Sequence, residues 1–212
     1  MNDKFYDIKT DKQERILNAA IKVFALNGYK KASTDVIVKE AGISKGLLFH
    51  YFDNKLTLYR FIIEYSQRFL SFEMSTTVDK HEKDFFILQA QMEQVKFKIM
   101  KNYPYMIQFL SGLKYETDDE ANSVNGDFLN ALDDIYDNVY RQADNTKFQD
   151  YVVISRVVNM IKWMSDGYMR ECLMNPEITL DEMNEEFSKY LKMTKAHFYR
   201  GGMVGVDSDE II

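Results

Sequence analysis

The chain has 212 residues, two prolines, nine glycines and a single cysteine, and is 46% apolar and 28% charged. That length fits one large domain or a small one beside a larger; the lone Cys172 excludes an internal disulfide framework, and no apolar run reaches the roughly 18 residues of a membrane span. The net charge of −6 argues against a nucleic-acid surface, but residues 1–60 hold 11 Lys and Arg against 7 Asp and Glu and the remainder 16 against 26, so a mildly basic head precedes an acidic body.

The opening MNDKFYDIKTDKQE has no apolar core of signal-peptide length, so a reducing cytoplasm is the expected location. Residues 1–10 are polar and expected to be loose. From Asp11 the pattern turns helical: Ile16, Ala20, Val23, Phe24 and Asn27 recur at three and four residues, and Gly28 is expected to stop the helix by taking a positive φ. Ser33 or Thr34 then caps a second helix, with Asp35 in its first turn and Ile37, Val38 and Ala41 on its apolar side. Gly42 ends that helix and Ser44 caps a third, which runs from Lys45 to about Phe52.

At about 100° per residue, Leu48, Phe49 and Phe52 of the third helix share a core arc, and Gly46, Leu47, His50 and Tyr51 lie opposite. The second arc holds no acid, whereas an ordinary solvated face carries Glu and Lys. Two short helices joined at Ala41-Gly42-Ile43-Ser44 read as a DNA-reading helix-turn-helix.

Further helices are expected over residues 54–75, 84–102, 105–115, 128–142, 147–174 and 180–200. Residues 76–83 and the acidic 116–127 read as loops, and 201–212 as a frayed tail. The β-branched stretch at 151–158 reads as helical because its segment is too long for a strand. The fold class is all-α. No Gly-rich phosphate loop, Ser/His/Asp set or Cys/His pair at metal-ligand spacing is present in the sequence, so neither an enzyme nor a metal or cofactor site is expected.

The head carries Ile16, Ala19, Ala20, Phe24 and Gly28-Tyr29, then Ser33, Ile37, Ala41-Gly42-Ile43-Ser44-Lys45-Gly46, Leu48-Phe49-His50-Tyr51-Phe52, Lys55 and Leu58. Over about residues 11–60 this pattern resembles the DNA-binding domain of the tetracycline-repressor (TetR) family of bacterial transcription regulators. Ala32, Leu47 and Asp53 depart from the family's usual residues. The resemblance implies a three-helix helix-turn-helix domain over 1–53, followed by a larger helical ligand-binding and dimerisation domain over 54–200.

It also implies roles. Ser33 and Thr34 would contact phosphate from the start of the second helix, and Lys45 and Lys55 would sit near phosphates at either end of the recognition helix. Gly46 would allow close backbone approach, while Leu47, His50 and Tyr51 would face the groove. Leu47 there would favour a thymine methyl. Taken singly, each of these has a plainer reading: His50 a surface residue, Tyr51 packing, Ser33 a cap, Lys55 a solvated charge.

For the body, the resemblance implies a homodimer built on the last two long helices, with Val157, Ile161, Met183, Phe187, Tyr190 and Phe198 as interface candidates. The plainer alternative is an ordinary monomer core. It further implies a small-molecule effector held among Met92, Phe97, Met106, Phe109, Trp163 and Tyr168, with Glu93, Asp166 or Glu171 supplying polarity; residues of these types at this spacing are also simply core. The function so implied is a ligand-responsive regulator, by family habit a repressor, that binds a near-palindromic double-stranded operator as a homodimer and is released by a small apolar or amphipathic molecule. Two alternatives remain: a ligand-independent dimeric DNA binder, and a helical partner-binding protein that has lost DNA recognition.

Overall fold

The computed structural model describes residues 3–175 and 177–201, which form ten α-helices and no β-strand. The helices are α1 (Asp3–Tyr6), α2 (Thr10–Lys31), α3 (Thr34–Ala41), α4 (Lys45–Phe52), α5 (Lys55–Thr77), α6 (Phe85–Asn102), α7 (Met106–Gly112), α8 (Asp119–Tyr140), α9 (Ile154–Leu173) and α10 (Leu180–Phe198). The all-α class is as expected, and among the described residues no helix is long and apolar enough to cross a membrane. The expected tail beyond Gly201 lies outside the described residues.

The chain forms two compact units, one of residues 1–73 and 98–135, the other of 74–97 and 136–212. The unit that holds the head therefore extends well past residue 53. Its core explains why: Ile16, Phe24, Ile37, Leu48 and Phe52 are buried together with Leu58, Tyr59 and Ile62 of α5 and Phe109 of α7. Tyr59 meets Phe24 and Phe109 at ring distances of 5.0 and 5.9 Å.

The first ten residues are not loose throughout. Phe5 is fully buried, 5.2 Å from the ring of Phe52 and 5.1 Å from that of Phe61. Burying one such ring contributes about 1.5–3 kcal/mol, enough to hold a short polar segment in place.

The acidic stretch 116–127 is not a loop beyond Asp118. The Asp118 carboxylate accepts from the amides of Glu120 and Ala121 at 3.1 and 3.3 Å, and Asp119 and Glu120 occupy the first turn of α8, where the helix dipole favours negative charge. Ala121, Val124 and Asn125 are buried at helical spacing behind that acidic surface.

In the second unit, the helix expected over 147–174 begins only at Ile154. Residues 147–149 instead pair with the end of α10: the Gln149 amide donates to the Phe198 carbonyl at 3.0 Å, the Arg200 amide to the Lys147 carbonyl at 2.9 Å, and Phe148 forms an antiparallel bridge with Tyr199. Val153 keeps an extended backbone (φ −89°, ψ 101°), as suits a β-branched side chain. Phe85, Phe86, Phe148 and Tyr199 make a ring cluster beside this pairing, with Phe148 and Tyr199 4.9 Å apart.

The apolar stripes of α9 and α10 face into this unit. Val157, Ile161, Met183 and Phe187 are buried within a single chain, so these four are core residues and not an open dimer surface. Periodicity identified the buried face correctly but not what buries it. Tyr190 and Phe198 keep part of their surface exposed. Outside the stripe, α9 exposes Met160 and Trp163, the latter by 65%.

Candidate nucleic-acid interface

The helix-turn-helix consists of α3 and α4, joined through Gly42. This glycine takes a left-handed conformation (φ 65°, ψ 41°) and ends α3 through amide bonds to its last carbonyls. Arg15 of α2 ties the turn down by donating from Nη1 to the Ala41 carbonyl at 3.1 Å, and a Cβ on Gly42 would stand 3.0 Å from that nitrogen. Ser44 caps α4 with its hydroxyl, which accepts from the Leu47 amide at 3.2 Å. Leu48 and Phe52 are buried beneath the helix, while Phe49 is half-buried at the margin.

Six of the expected DNA-contacting residues keep surface around this pair of helices. Ser33 stands at the N-cap of α3 with extended backbone and no side-chain capping bond, and Thr34 follows half-exposed. Lys45, Gly46 and His50 are exposed and Leu47 is half-buried. A Cβ on Gly46 would meet nothing within 4 Å, so backbone is open to approach there. Lys45 is paired with Asp35 of α3 at 2.8 Å, and must leave or share that partner to meet a phosphate.

Tyr51 is a correction. It is 5% exposed, and its ring packs edge-on against Phe5 at 6.1 Å and Phe52 at 6.2 Å. Helical spacing sets it outside the core arc of Leu48 and Phe52, but the N-terminal segment folds over it and Phe5 covers it. The outer face of α4 is thus built from Gly46, Leu47 and His50.

Behind α4, Asp53 has φ 55° and ψ −53°, and the Asn54 amide bonds back to the Phe52 carbonyl. This is a γ-turn of the positive-φ form, a strained conformation for a residue with a side chain. It reverses the chain at once, so that Asn54 can cap α5 by accepting from the Thr57 amide at 2.9 Å. Lys55 thereby lies close behind the recognition helix.

Lys55 is the eighth expected contact, and it is half-buried. Its ammonium lies 4.4 Å from the centre of the Tyr29 ring and donates to the Lys30 carbonyl at 3.3 Å. Burial lowers its pKa, and the carboxylates of Asp118, Glu120 and Glu116 oppose that shift. Tyr29 and these acids were not assigned roles from the sequence. Gly28-Tyr29 counted only as part of the head's pattern, and the signal that could have found the acids is the Asp118 cap followed by Ala121 and Val124 at helical spacing.

The expected ligand-pocket residues are divided between the two compact units. Met106 and Phe109 belong to the first unit, and Met92, Phe97, Trp163 and Tyr168 to the second. Met92, Phe97, Met106 and Phe109 are buried, whereas Trp163 is 65% exposed and lies at the surface of its unit. Tyr168 packs on Phe187 and Tyr190 at 5.8 and 6.0 Å. Glu171 is exposed. Glu93 is the buried acid: it accepts from Lys96 at 2.9 Å, from Ser165 at 2.7 Å and from Gln89 at 2.8 Å.

Residues 16–60 match the family model of the bacterial regulatory proteins of the tetR family. Over 121 residues the chain is 24% identical to the HTH-type transcriptional regulator SrpR of Pseudomonas putida, a match covering 57% of this chain and 54% of that protein, so the chain spans about half the length of that curated relative. Among solved structures, the ketosteroid transcriptional regulator KstR2 of Mycobacterium tuberculosis superposes with a TM-score of 0.69 at 16% identity, covering 92% of this chain and 97% of that one. The transcriptional regulator FadR of Bacillus subtilis, solved in complex with stearoyl-CoA, does so with a TM-score of 0.58 at 18% identity, covering 85% and 96%. At these identities the structural likeness concerns the fold.

Proposed function

We propose, for a chain that belongs to the TetR family of bacterial transcription regulators, that it binds a near-palindromic operator as a homodimer in the cytoplasm and is released by a small apolar or amphipathic molecule. The observation that carries this reading is the outer face of α4. Gly46, Leu47 and His50 form a narrow acid-free surface, flanked by Ser33, Thr34, Lys45 and Lys55 as phosphate contacts. A recognition helix of eight residues fits a major groove, and hydroxyls, amides and ammonium groups at its margins fit the backbone on either side.

A single head makes too few contacts for tight, selective binding, which favours a two-fold dimer on two half-sites. With Val157, Ile161, Met183 and Phe187 consumed in the core, the surface that supports dimerisation is the exposed side of α9, Met160 and Trp163, together with the partly exposed Tyr190 and Phe198. Trp163 is the chain's single tryptophan, so its emission should shift to the blue as concentration rises and the dimer forms.

Release by a ligand is a population shift. A molecule that binds better to a dimer with badly spaced heads draws the protein away from DNA by that difference in affinity. The apolar or amphipathic class is supported by the many buried Phe, Tyr and Met side chains and by stearoyl-CoA in the FadR complex. Repression is the mode that release by a ligand serves. The test is fluorescence anisotropy of a bound operator duplex under a panel of fatty acyl, steroid and aromatic molecules. The expected result is one class that frees the duplex and raises the melting temperature. Unchanged binding across the panel, with intact operator recognition, would favour a DNA binder without an effector.

A further inference from the structure

Gly28 does not end α2 but kinks it three residues before its end at Lys31, and that kink is held by carboxylates in the first turn of α8 and just ahead of it. Gly28 takes φ 66° there, and the amide of the next residue, Tyr29, donates to Glu116 Oε2 at 2.6 Å. A Cβ on residue 28 would stand 3.1 Å from that same oxygen, so glycine serves both the backbone angle and the close approach. Glu116 Oε1 accepts from the amides of Thr117 and Asp118 at 2.9 and 3.0 Å, which leaves this carboxylate committed to backbone at both oxygens.

The other end of Tyr29 is held as well. Its hydroxyl donates to Glu120 Oε2 at 2.5 Å. The ring lies 5.0 Å from that of Tyr59 and 6.3 Å from that of Phe24, parallel to the latter within 9°. Fixed at its amide, ring and hydroxyl, Tyr29 presents a face to the Lys55 ammonium. A lysine otherwise carries a flexible four-carbon stem whose ordering opposes each contact it makes. Resting on a fixed ring, and tethered to the Lys30 carbonyl, Lys55 has lost much of that freedom before any phosphate arrives.

We propose that Tyr29 and Glu120, with Glu116, are positioning residues for DNA binding: they fix the platform from which Lys55 meets phosphate, so the α7–α8 turn sets the sequence-independent part of the affinity. The proposal rests on the reading of the head as a DNA binder. None of the three is required to touch DNA.

The test uses the full chain and two duplexes, one selected from a random pool and one of random sequence, titrated over a range of salt. Tyr29→Phe keeps the ring and every charge and removes only the hydroxyl bond to Glu120. It should weaken binding to both duplexes by about three- to tenfold and leave their ratio unchanged. In a Lys55→Ala background the same substitution should have no further effect, since the platform then holds nothing. Glu120→Gln, whose amide oxygen still accepts the phenol proton, should keep the platform, and the side-chain amine resonance of Lys55 should move toward that of free lysine in Tyr29→Phe alone. Equal losses from Tyr29→Phe with and without Lys55, or an unmoved Lys55 resonance, would overturn the proposal while leaving the DNA-binding head intact. A wild-type chain that prefers no duplex over random DNA would overturn that head and the proposal with it.

Discussion

Two lysines in this protein lie beside a tyrosine ring and carboxylates and differ in their access to water. Lys55 lies 4.4 Å over Tyr29, beside a glutamate-rich turn, and is half-exposed. Lys96 lies 5.9 Å from the centre of the Tyr136 ring and 2.9 Å from Glu93, and is 6% exposed. Burial lowers the pKa of both, but only at Lys96 does the paired carboxylate outweigh it and raise the net value. The first charge keeps part of its surface in water, where we propose that it meets a phosphate. The second is consumed by its own fold, bonded to Glu93 and to the Ser165 hydroxyl at 2.9 Å. Access to water decides whether a charge serves a partner or holds a core.

That contrast can be broken at the buried site with the largest effect. Glu93→Ala removes the acceptor shared by Gln89, Lys96 and Ser165 and leaves a buried ammonium unpaired, so urea unfolding should register a loss of about 3–5 kcal/mol. A loss below 1 kcal/mol would place Lys96 in contact with water after all.

Asp84 is an intermediate case, since its own carboxylate is buried but the two lysines that meet it are partly exposed. It accepts from the amides of Phe86 and Ile87 at 3.0 and 3.2 Å and from Lys147 and Lys195 at 3.2 and 3.1 Å. Burial alone would raise its pKa; the bonds from Lys195, the Ile87 amide and Lys147 outweigh burial and hold it below the ordinary 3.8. A carboxyl with a depressed folded value stabilises the protein above its unfolded value and loses that contribution as pH falls through the folded one. Asp84→Asn should therefore cost roughly 1–3 kcal/mol at neutral pH, and the difference from wild type should shrink below pH 3.8. A gap that stays constant into acid would remove the ionised carboxylate from the explanation.

At the exposed site the effect moves from stability to binding. Lys55→Ala should change the melting temperature little, weaken binding to all duplexes, and flatten the slope of log affinity against log salt by about one unit. An unaltered slope would show that Lys55 meets no phosphate.

The parts of the fold that could be read from the sequence are those fixed by neighbours in the chain. Gly42 ends α3, Ser44 caps α4, and Leu48 and Phe52 go inside, all within a dozen residues. What could not be read depends on distant segments. Tyr51 is covered by Phe5, Lys55 is seated by Tyr29, and residues 147–149 pair with the end of α10 and so do not extend α9. The start of α8 escaped because Asp118, Asp119 and Glu120 look like a solvated loop, although acids in a first turn also favour a helix. The stripes of α9 and α10 gave the buried side of each helix and could not say whether a second copy or the same chain covers it.

The central claim is that the outer face of α4 reads DNA, and selection of bound duplexes from a random pool by this chain tests it most directly. The account predicts enrichment of a near-palindromic sequence whose half-sites lie one helical turn or a multiple apart, and loss of that enrichment, with only a modest fall in overall affinity, in His50→Ala. A pool that stays random after repeated rounds, with wild type and variant binding it equally, would contradict the account.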